Sequence, residues 1–249
     1  MIVIPMAGLS QRFTRAGYAV PKYMLEAHGR TLFDQSVLSF ARYFETLPFL
    51  FIARRVADTE AFIATRCAAL GVARWTCVML DQPTRGQAET VDAGLAGAAI
   101  AADEPITIFN IDTFRPGFVF PDWGGAPVDG FLETFEGEGA NWSFVRPRDE
   151  GSDRAAETSE KRPISKFCCT GLYHFAAARL FRDAYAPEAA RPDAALEGGE
   201  LYVAPLYNRL IADAHDIRFT VVPRDTVHFC GVPDEYDAIR AAAPIYAAS

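Results

Sequence analysis

Short apolar runs alternate with segments of helical periodicity along the first half of the chain. Four apolar runs predict β-strands, and they cover Met1–Pro5, Phe49–Ala53, Trp75–Leu80 and Ile106–Asn110. Between them, apolar residues recur at helical spacing in three segments long enough for crossover helices, namely residues 32–44, Glu60–Leu70 and Ala88–Ala101. This alternation is typical of βαβ units, so residues 1–112 are predicted to form a doubly wound half with a mainly parallel sheet.

The pattern changes after Phe114, where glycine, proline and aromatic residues become more frequent. Shorter apolar runs predict strands of a smaller mixed sheet, at Gly130–Phe135, Trp142–Val145 and Thr170–Phe175. The polar stretch Asp149–Glu160 is predicted to be a loop, and a last helix is predicted to begin at Pro233. No linker separates the two halves, so we expect one α/β domain over residues 1–249.

Composition narrows the range of partners. The 249 residues include 24 Lys and Arg against 32 Asp and Glu, a net charge of −8, which argues against nucleic acid as a partner. The five cysteines contain no C-x-x-C pair, so neither a zinc site nor a redox motif is expected. The apolar start ends before Ser10 and is too short for a signal peptide or a membrane span. We therefore expect a cytoplasmic protein without a membrane partner.

Ligands of doubly wound sheets bind outside the carboxyl ends of the strands, so the loops after the predicted strands are the first candidates. The first such loop contains Ala7, Gly8 and Ser10, whose small side chains let backbone N–H groups approach a phosphate chain. Arg12 and Lys22 follow and supply positive charge. The loop matches neither G-x-x-x-x-G-K-[ST] nor G-x-G-x-x-G, but it has the chemistry of a triphosphate site.

Together with Pro21-Lys22, this loop resembles the signature of the sugar-phosphate nucleotidyltransferase family, a Gly-rich, Arg-containing loop followed by Pro-Lys. The segment D-Q-P-T-R-G-Q-A is similar to the family's base-reading loop, in which Gln82 would bond the base edge and Gly86 would present its backbone. Asp112 closes a predicted strand as the family's metal-binding Gly-Asp segment does, with Ile111 in the glycine's place.

The resemblance continues through the second half. Glu160 and Lys161 begin a segment similar to the family's E-K-P element, and Gly171 and Tyr173 match its G-x-Y element; both elements contact the sugar phosphate in the family. Glu200 falls in a segment similar to its G-E-L element. Because these matches keep their order over residues 1–236, the resemblance covers nearly the whole chain and implies substrate-binding roles for these residues.

The implied reaction brings two anions together, since a sugar-phosphate oxygen attacks the α-phosphorus of a nucleoside triphosphate. Such a site needs cations and a divalent metal more than a general base. Arg12 and Lys22 suit the pyrophosphate and the α-phosphate, and Lys161 suits the incoming phosphate. Asp112 suits Mg²⁺, which takes one or two carboxylates and completes its shell with phosphate and water.

One position departs from the family's pattern. A second metal-binding Asp commonly lies two residues before the G-T-P element, and Phe229 occupies that place here. Either Asp112 holds the metal with phosphates and water, or Asp225 substitutes, or catalysis is weakened. The identity of the nucleotide base is also undecided, because Leu9-Ser10 makes the first loop more similar to that of the cytidylyltransferase-like branches.

The resemblance implies a single Rossmann-like (GT-A-like) domain in which residues 1–112 bind the nucleotide and residues 113–249 bind the sugar phosphate. We expect an Mg²⁺-dependent enzyme that joins a nucleoside triphosphate to a sugar 1-phosphate, or a similar phosphorylated small molecule, for surface polysaccharide synthesis. A homo-oligomer is compatible with the sequence. Two alternatives remain: a glycosyltransferase, for whose D-x-D motif Asn110-Ile111-Asp112 supplies only half, and a non-catalytic nucleotide-binding protein.

Overall fold

The structure is a computed structural model that describes residues 1–246. Within these residues the chain forms thirteen strands: β1 (Ile2–Pro5), β2 (Glu26–Ala27), β3 (Arg30–Thr31), β4 (Phe49–Arg54), β5 (Trp75–Leu80), β6 (Ile106–Phe109), β7 (Thr113–Phe114), β8 (Gly130–Glu136), β9 (Ser143–Pro147), β10 (Ala155–Glu160), β11 (Phe167–Phe175), β12 (Ile217–Val222) and β13 (His228–Phe229). The same residues form seven α-helices: α1 (Gln11–Arg15), α2 (Leu32–Val37), α3 (Thr59–Leu70), α4 (Gln87–Gly97), α5 (Ala178–Ala189), α6 (Tyr207–Ala212) and α7 (Pro233–Ala241).

The centre of the main sheet is parallel. Strands β6, β1, β4 and β5 lie side by side in this order, and a helix lies in each connection between successive strands of this group. Strand β1 shows why these strands are continuous apolar runs. Val3 packs in one core with Leu50, whereas Ile2 and Ile4 pack on the opposite face with Phe51, so both faces are buried. The doubly wound half predicted from the sequence is confirmed.

The second half of the chain extends the same sheet with mostly antiparallel strands. β11 is antiparallel to β6, β9 and β8, while β10 pairs with β9 at one end of the sheet. β12 lies parallel to β8, which gives nine strands in all within the described residues. Two antiparallel ribbons, β2–β3 and β7–β13, stand apart from this sheet. The α/β fold with a central, mainly parallel sheet flanked by helices is therefore confirmed. The strands predicted for a smaller mixed sheet are present, but they belong to the same nine-stranded sheet.

The loop predicted over Asp149–Glu160 is wrong in its second part, because residues 155–160 form β10. This strand has no apolar alternation, and polar contacts stabilise it instead. The backbone N–H of Thr158 donates to Asn208 Oδ1 at 2.8 Å, and Glu157 forms an ion pair with Arg146 at 3.0 Å across the strand pair. Hydrophobic periodicity cannot reveal a strand that is held in this way.

None of the helices in residues 1–246 has the length and apolar character needed to cross a lipid bilayer.

Candidate active site

A cleft of about 1120 Å³ opens at the carboxyl ends of β1 and β6, which are neighbours in the sheet. Every site residue predicted from the sequence lines this cleft except Gln82. We call the part built on the loops after β1, β5 and β6 the basic end, defined by Gly8, Arg12, Lys22, Gly86 and Asp112. We call the part built around β9, β10, β13 and the segment before α6 the acidic end, defined by Trp142, Glu160, Lys161, Glu200, Tyr202 and Phe229.

The loop after β1 leaves its backbone open to the cleft. A Cβ atom built on Gly8 would meet nothing within 4 Å. Ser10 is left-handed (φ 50°), and its carbonyl accepts the N–H of Phe13 at 2.9 Å, which starts α1. Phe13 is buried against Tyr236 and anchors this short helix. Arg12 on α1 therefore stands beside an exposed stretch of backbone, an arrangement suited to a phosphate chain.

Lys22 and Asp112 form the central contact of the basic end. Lys22 begins a 3-10 turn that is anchored by the buried Tyr23, whose hydroxyl is 2.8 Å from Thr59 Oγ1. The Lys22 ammonium lies 2.5 Å from Asp112 Oδ2, although the two residues are 90 positions apart in the chain. The carboxylate after β6 thus already accommodates a cation.

Phe229 lies beside the Asp112 segment, as the resemblance to the family implies for that position. It pairs with Thr113 in the β7–β13 ribbon, and the N–H of the next residue, Cys230, donates to the carbonyl of Asp112 at 2.8 Å. Its ring packs against Trp142, with 4.7 Å between the ring centroids. Asp225 is exposed and does not line the cleft. Within residues 1–246 no group of three or more His, Cys, Asp or Glu is arranged to hold a metal ion.

A buried ion pair supports the loop that carries Asp112. Arg115 Nε donates to the carboxylate of Glu133 at 3.1 Å, and Thr170 Oγ1 donates to the same carboxylate at 3.2 Å. The hydroxyl of Thr113 in turn donates to the carbonyl of Thr170 at 3.1 Å. Burial raises the pKa of Glu133, although Arg115 opposes this shift. The sequence analysis missed this pair; its signal was a carboxylate inside the apolar run of β8.

At the acidic end, a chain of hydrogen-bonding groups leads from Glu160, the last residue of β10, through Ser143 to Tyr173. Glu160 is only 6% exposed, and Ser143 Oγ donates to its Oε2. The same hydroxyl lies 3.3 Å from the hydroxyl of the buried Tyr173. Burial raises the pKa of Glu160, and the carboxylates of Glu197 and Glu200 add to that shift, whereas Ser143 and Lys161 oppose it. A buried carboxylate in this position needs nearby donors or positive charge.

Lys161 is held in an unusual backbone conformation at the same end. It has a φ of 55°, which is uncommon for a residue with a side chain, and its N–H donates to the carbonyl of Trp142 at 2.8 Å. Its ammonium donates to the Tyr202 hydroxyl at 2.5 Å. Burial lowers the pKa of Lys161, but the bond to Tyr202 and the charges of Glu160 and Glu200 outweigh it and leave the pKa raised.

Backbone hydrogen bonds join the two ends of the cleft. The N–H of Leu201 donates to the carbonyl of Arg85 at 3.0 Å, and the N–H of Ala88 donates to the carbonyl of Leu201 at 2.8 Å. Gly86 lies between these bonds with a φ of +154°, and a Cβ atom there would lie 2.6 Å from the backbone of Leu201. Glycine is therefore required at this position, because a side chain would push the two segments apart.

The loop after β5 turns a different glutamine toward the cleft from the one predicted. Gln82 is exposed outside the lining, whereas Gln87 lines the cleft and its Nε2 donates to Asn110 Oδ1 at 2.5 Å. Asn110 packs so closely on Gly171 that a Cβ atom built on Gly171 would lie 2.5 Å from Asn110 Nδ2. The sequence analysis missed Gln87 and Asn110. Their position next to Gly86 and Asp112 was the available signal.

Comparison with solved structures identifies the family. The chain is 52% identical to a nucleoside-diphosphate-sugar pyrophosphorylase from Vibrio cholerae RC9, with a TM-score of 0.92 and coverage of 97% of this chain and 100% of that one. The chain belongs to the sugar-phosphate nucleotidyltransferase family. This nucleotidyltransferase is therefore an enzyme of the pyrophosphorylase type, which favours the predicted activity over the glycosyltransferase and the non-catalytic alternatives.

More distant structures share the fold of this nucleotidyltransferase. A UDP-glucose pyrophosphorylase complexed with UDP-glucose and a Bacillus anthracis protein provisionally described as a glucose-1-phosphate thymidylyltransferase each match with a TM-score of 0.72 and 13% identity. They cover 96% of this chain, and the matches cover 96% and 93% of the two other chains, respectively. No protein-family model and no curated protein matches this sequence.

Proposed function

We propose that this nucleotidyltransferase joins a nucleoside triphosphate to a sugar 1-phosphate, or to a similar phosphorylated small molecule, and releases pyrophosphate. The observation that carries the proposal is the single cleft that contains both Lys22 with Asp112 and Lys161 with Glu160. Phosphate-binding cations are thus present at both ends of one cavity, as a reaction between two phosphates requires. We assign the nucleotide to residues 1–112 and the acceptor to residues 113–249 of one domain.

The proposed reaction needs no general base. An oxygen of the acceptor phosphate forms a bond to the α-phosphorus while the bond from that phosphorus to the oxygen bridging the β-phosphate breaks, and that oxygen leaves with pyrophosphate. Charge and atoms balance when the acceptor phosphate enters as a dianion. Arg12 and Lys22 would hold the triphosphate, and Lys161 would hold the attacking phosphate, so their work is orientation and charge neutralisation.

We further propose that the enzyme uses Mg²⁺ at Asp112. The carboxylate suits a hard cation, and its present contact with the Lys22 ammonium at 2.5 Å supports this assignment. Since Phe229 supplies no second carboxylate, phosphate and water oxygens would complete the shell. The ion would neutralise phosphate charge in the cleft. Gly86 and the amides of Gln87 and Asn110 line the same end of the cleft and would contact the base.

A thermal-shift panel with Mg²⁺ tests the function. ATP, GTP, CTP, UTP and dTTP are compared with their nucleoside diphosphate sugars, and a ligand at a hundred times its Kd adds about 2.7 kcal/mol of stability. We expect one triphosphate to stabilise the protein most and then to support pyrophosphate release with a phosphorylated acceptor. Stabilisation by diphosphate sugars alone would favour a glycosyltransferase.

We also propose that the product is made in the cytoplasm and supplies a surface polysaccharide, as the family resemblance implies. Deletion of the gene in its own organism is expected to remove that polysaccharide. Complementation with the wild-type chain, but not with Asp112→Ala, is expected to restore it. Unchanged surface polysaccharide in the deletion strain would contradict this role.

A further inference from the structure

The two ends of the cleft carry opposite charge. Arg12, Arg15 and Lys22 line the basic end, where Asp112 is the paired carboxylate. Among the residues that define the acidic end, Glu160 and Glu200 are balanced by one ammonium, that of Lys161. The guanidinium of Arg224 lies 4.9 Å from the centroid of the Phe229 ring but does not line the cleft. The hydroxyls of a neutral sugar can donate hydrogen bonds to these carboxylates, but a neutral sugar brings no positive charge to offset their repulsion of the phosphate dianion.

The carboxylates of the acidic end lack ionic partners, unlike their neighbours. Within residues 1–246 no Lys, Arg or His nitrogen lies within 4.0 Å of a carboxylate oxygen of Glu160 or Glu200. Nearby Glu197, in contrast, is paired with Arg162 at 3.4 Å. Ser143 Oγ is the donor to Glu160, which is 6% exposed. The cleft therefore contains a nearly buried carboxylate that forms no direct ion pair.

The proposed function makes this imbalance larger. The charge of Lys161 acts on both carboxylates, and in the proposed reaction the Lys161 ammonium would bind the acceptor phosphate. A neutral acceptor would then leave Glu160 and Glu200 beside an added phosphate. A positive charge on the acceptor would offset the two carboxylates while the phosphate uses Lys161.

Aromatic faces complete an environment suited to a cation. The rings of Trp142 and Phe229 both line the cleft, with centroids 4.7 Å apart and planes inclined by 52°. The ring of Tyr202 already has an ammonium over it, that of Lys161 at 4.7 Å from the centroid. Aromatic faces attract ammonium and alkylammonium groups, and the attraction grows when water is excluded. Phe229 thus gives this end a ring where the family's pattern has a carboxylate.

We infer that the acceptor carries a positive charge in addition to its phosphate, as a protonated amino or an alkylammonium group that lies among Glu160, Glu200 and the rings of Trp142 and Phe229. This inference rests on the proposed function and narrows its substrate class to phosphorylated amines. Amino sugar phosphates and amino alcohol phosphates share this chemistry.

Matched acceptors that differ only in charge test the inference. Pyrophosphate release is measured with the triphosphate selected by the thermal-shift panel. Glucosamine 1-phosphate is compared with glucose 1-phosphate, and phosphocholine with its uncharged carbon isostere, 3,3-dimethylbutyl phosphate. We expect kcat/KM to be at least about 10-fold higher for the charged member of one pair, equivalent to about 1.4 kcal/mol. The pair that responds distinguishes the amino sugar from the amino alcohol.

Three variants connect the preference to the residues. Glu200→Gln and Glu160→Gln are expected to reduce the ratio of charged to uncharged kcat/KM several-fold, and mainly by raising KM for the charged acceptor. Phe229→Leu keeps the apolar volume but removes the ring, so a smaller reduction is expected. Glu188→Gln is the matched control, because its carboxylate is paired with Arg191 at 2.7 Å outside the cleft, and it should keep the wild-type ratio.

The possible results distinguish a failure of this inference from a failure of the proposed function. Equal or better turnover of the uncharged member in both pairs overturns the inference and leaves the nucleotidyltransferase function intact. The same holds for a preference that Glu160→Gln and Glu200→Gln both leave unchanged. Binding of a triphosphate without turnover of any of the four acceptors also overturns it. No stabilisation by any triphosphate, together with no pyrophosphate release, overturns the proposed function itself.

Discussion

The basic and acidic ends of one cleft are built by different parts of the sheet. The basic end stands on loops after the parallel strands β1, β5 and β6, of which β1 and β6 are completely buried. The acidic end stands on antiparallel strands that turn polar side chains inward, such as Ser143 and Glu160. The regular half thus supplies strand ends with open backbone and positive charge, whereas the irregular half supplies the carboxylates and aromatic rings of the cleft.

Asp112→Ala is expected to have the largest effect, because it removes the carboxylate at the centre of the basic end. Turnover should fall on the order of 100-fold or more, the size seen when a group that stabilises charge in an active site is removed. The unfolding transition should stay close to that of the wild type. Asp225→Ala, at an exposed position outside the cleft, is the matched control. Full activity of Asp112→Ala would contradict the role given to this carboxylate.

The pairing of β6 with β11, which joins the two halves of the chain, should become less stable in acid. His174 on β11 pairs with Thr107 on β6, and its Nδ1 lies 2.9 Å from the threonine hydroxyl. Burial lowers the pKa of His174 from 6.5 to about 4. Between these values the unfolded chain binds more protons than the folded chain, so stability falls as pH decreases from 6.5 towards 4, by about 3 kcal/mol at most.

Denaturant unfolding at a series of pH values measures this effect. His174→Gln keeps a hydrogen-bonding group but cannot titrate, so its stability should depend less on pH over the same interval. The exposed His28→Gln is the matched control. Parallel pH profiles for the wild type and His174→Gln would show that this histidine does not carry the dependence.

Gly86→Ala and Gly8→Ala should differ in their effect on stability, because Gly86 lies where the two ends of the cleft meet and Gly8 lies on open backbone of the basic end. Alanine at position 86 would place a Cβ atom 2.6 Å from the backbone of Leu201, whereas at position 8 it would meet nothing within 4 Å. We expect a loss of roughly 1–3 kcal/mol in the free energy of unfolding for Gly86→Ala and less than about 0.5 kcal/mol for Gly8→Ala. Equal losses in chemical denaturation would contradict the close approach.

Lys161→Ala should give the smallest of these effects and the one most specific to the acidic end. Its ammonium donates to the Tyr202 hydroxyl and would donate to the acceptor phosphate instead when the acceptor binds. The KM for the acceptor should therefore rise about 10-fold, while the KM for the nucleotide changes little. Lys166→Ala is the matched control, since that exposed side chain pairs with Glu136 at 2.7 Å. Similar changes in both KM values would remove the distinction between the ends.

The sequence predicted the parallel half well because its strands are buried on both faces. Strands such as Ile2–Pro5 then appear as uninterrupted apolar runs, and the loops that follow them contain Gly8, Lys22 and Asp112. The approach of Lys22 to Asp112 follows from the adjacency of two strand ends. Such features follow from local patterns of apolar and polar residues, which can be identified in a single sequence.

Other features depend on contacts that no local pattern encodes. Glu133 and Arg115 are 18 positions apart and meet only after the sheet forms. The loop after β5 places Gln87 in the cleft and leaves Gln82 exposed, a choice set by how that loop joins Leu201. Contacts between distant parts of the chain, not periodicity, decide each of these positions.

The hydrogen bonds between Leu201 and the loop around Gly86 have a consequence for how this enzyme evolves. They are made by main-chain atoms of Leu201, Arg85 and Ala88, which every residue except proline can supply in full. Mutations in the side chains of this crossing therefore leave the two ends of the cleft joined, provided that the glycine stays. The lining of the cleft can change, one substitution at a time, without first losing the junction that holds its two ends together.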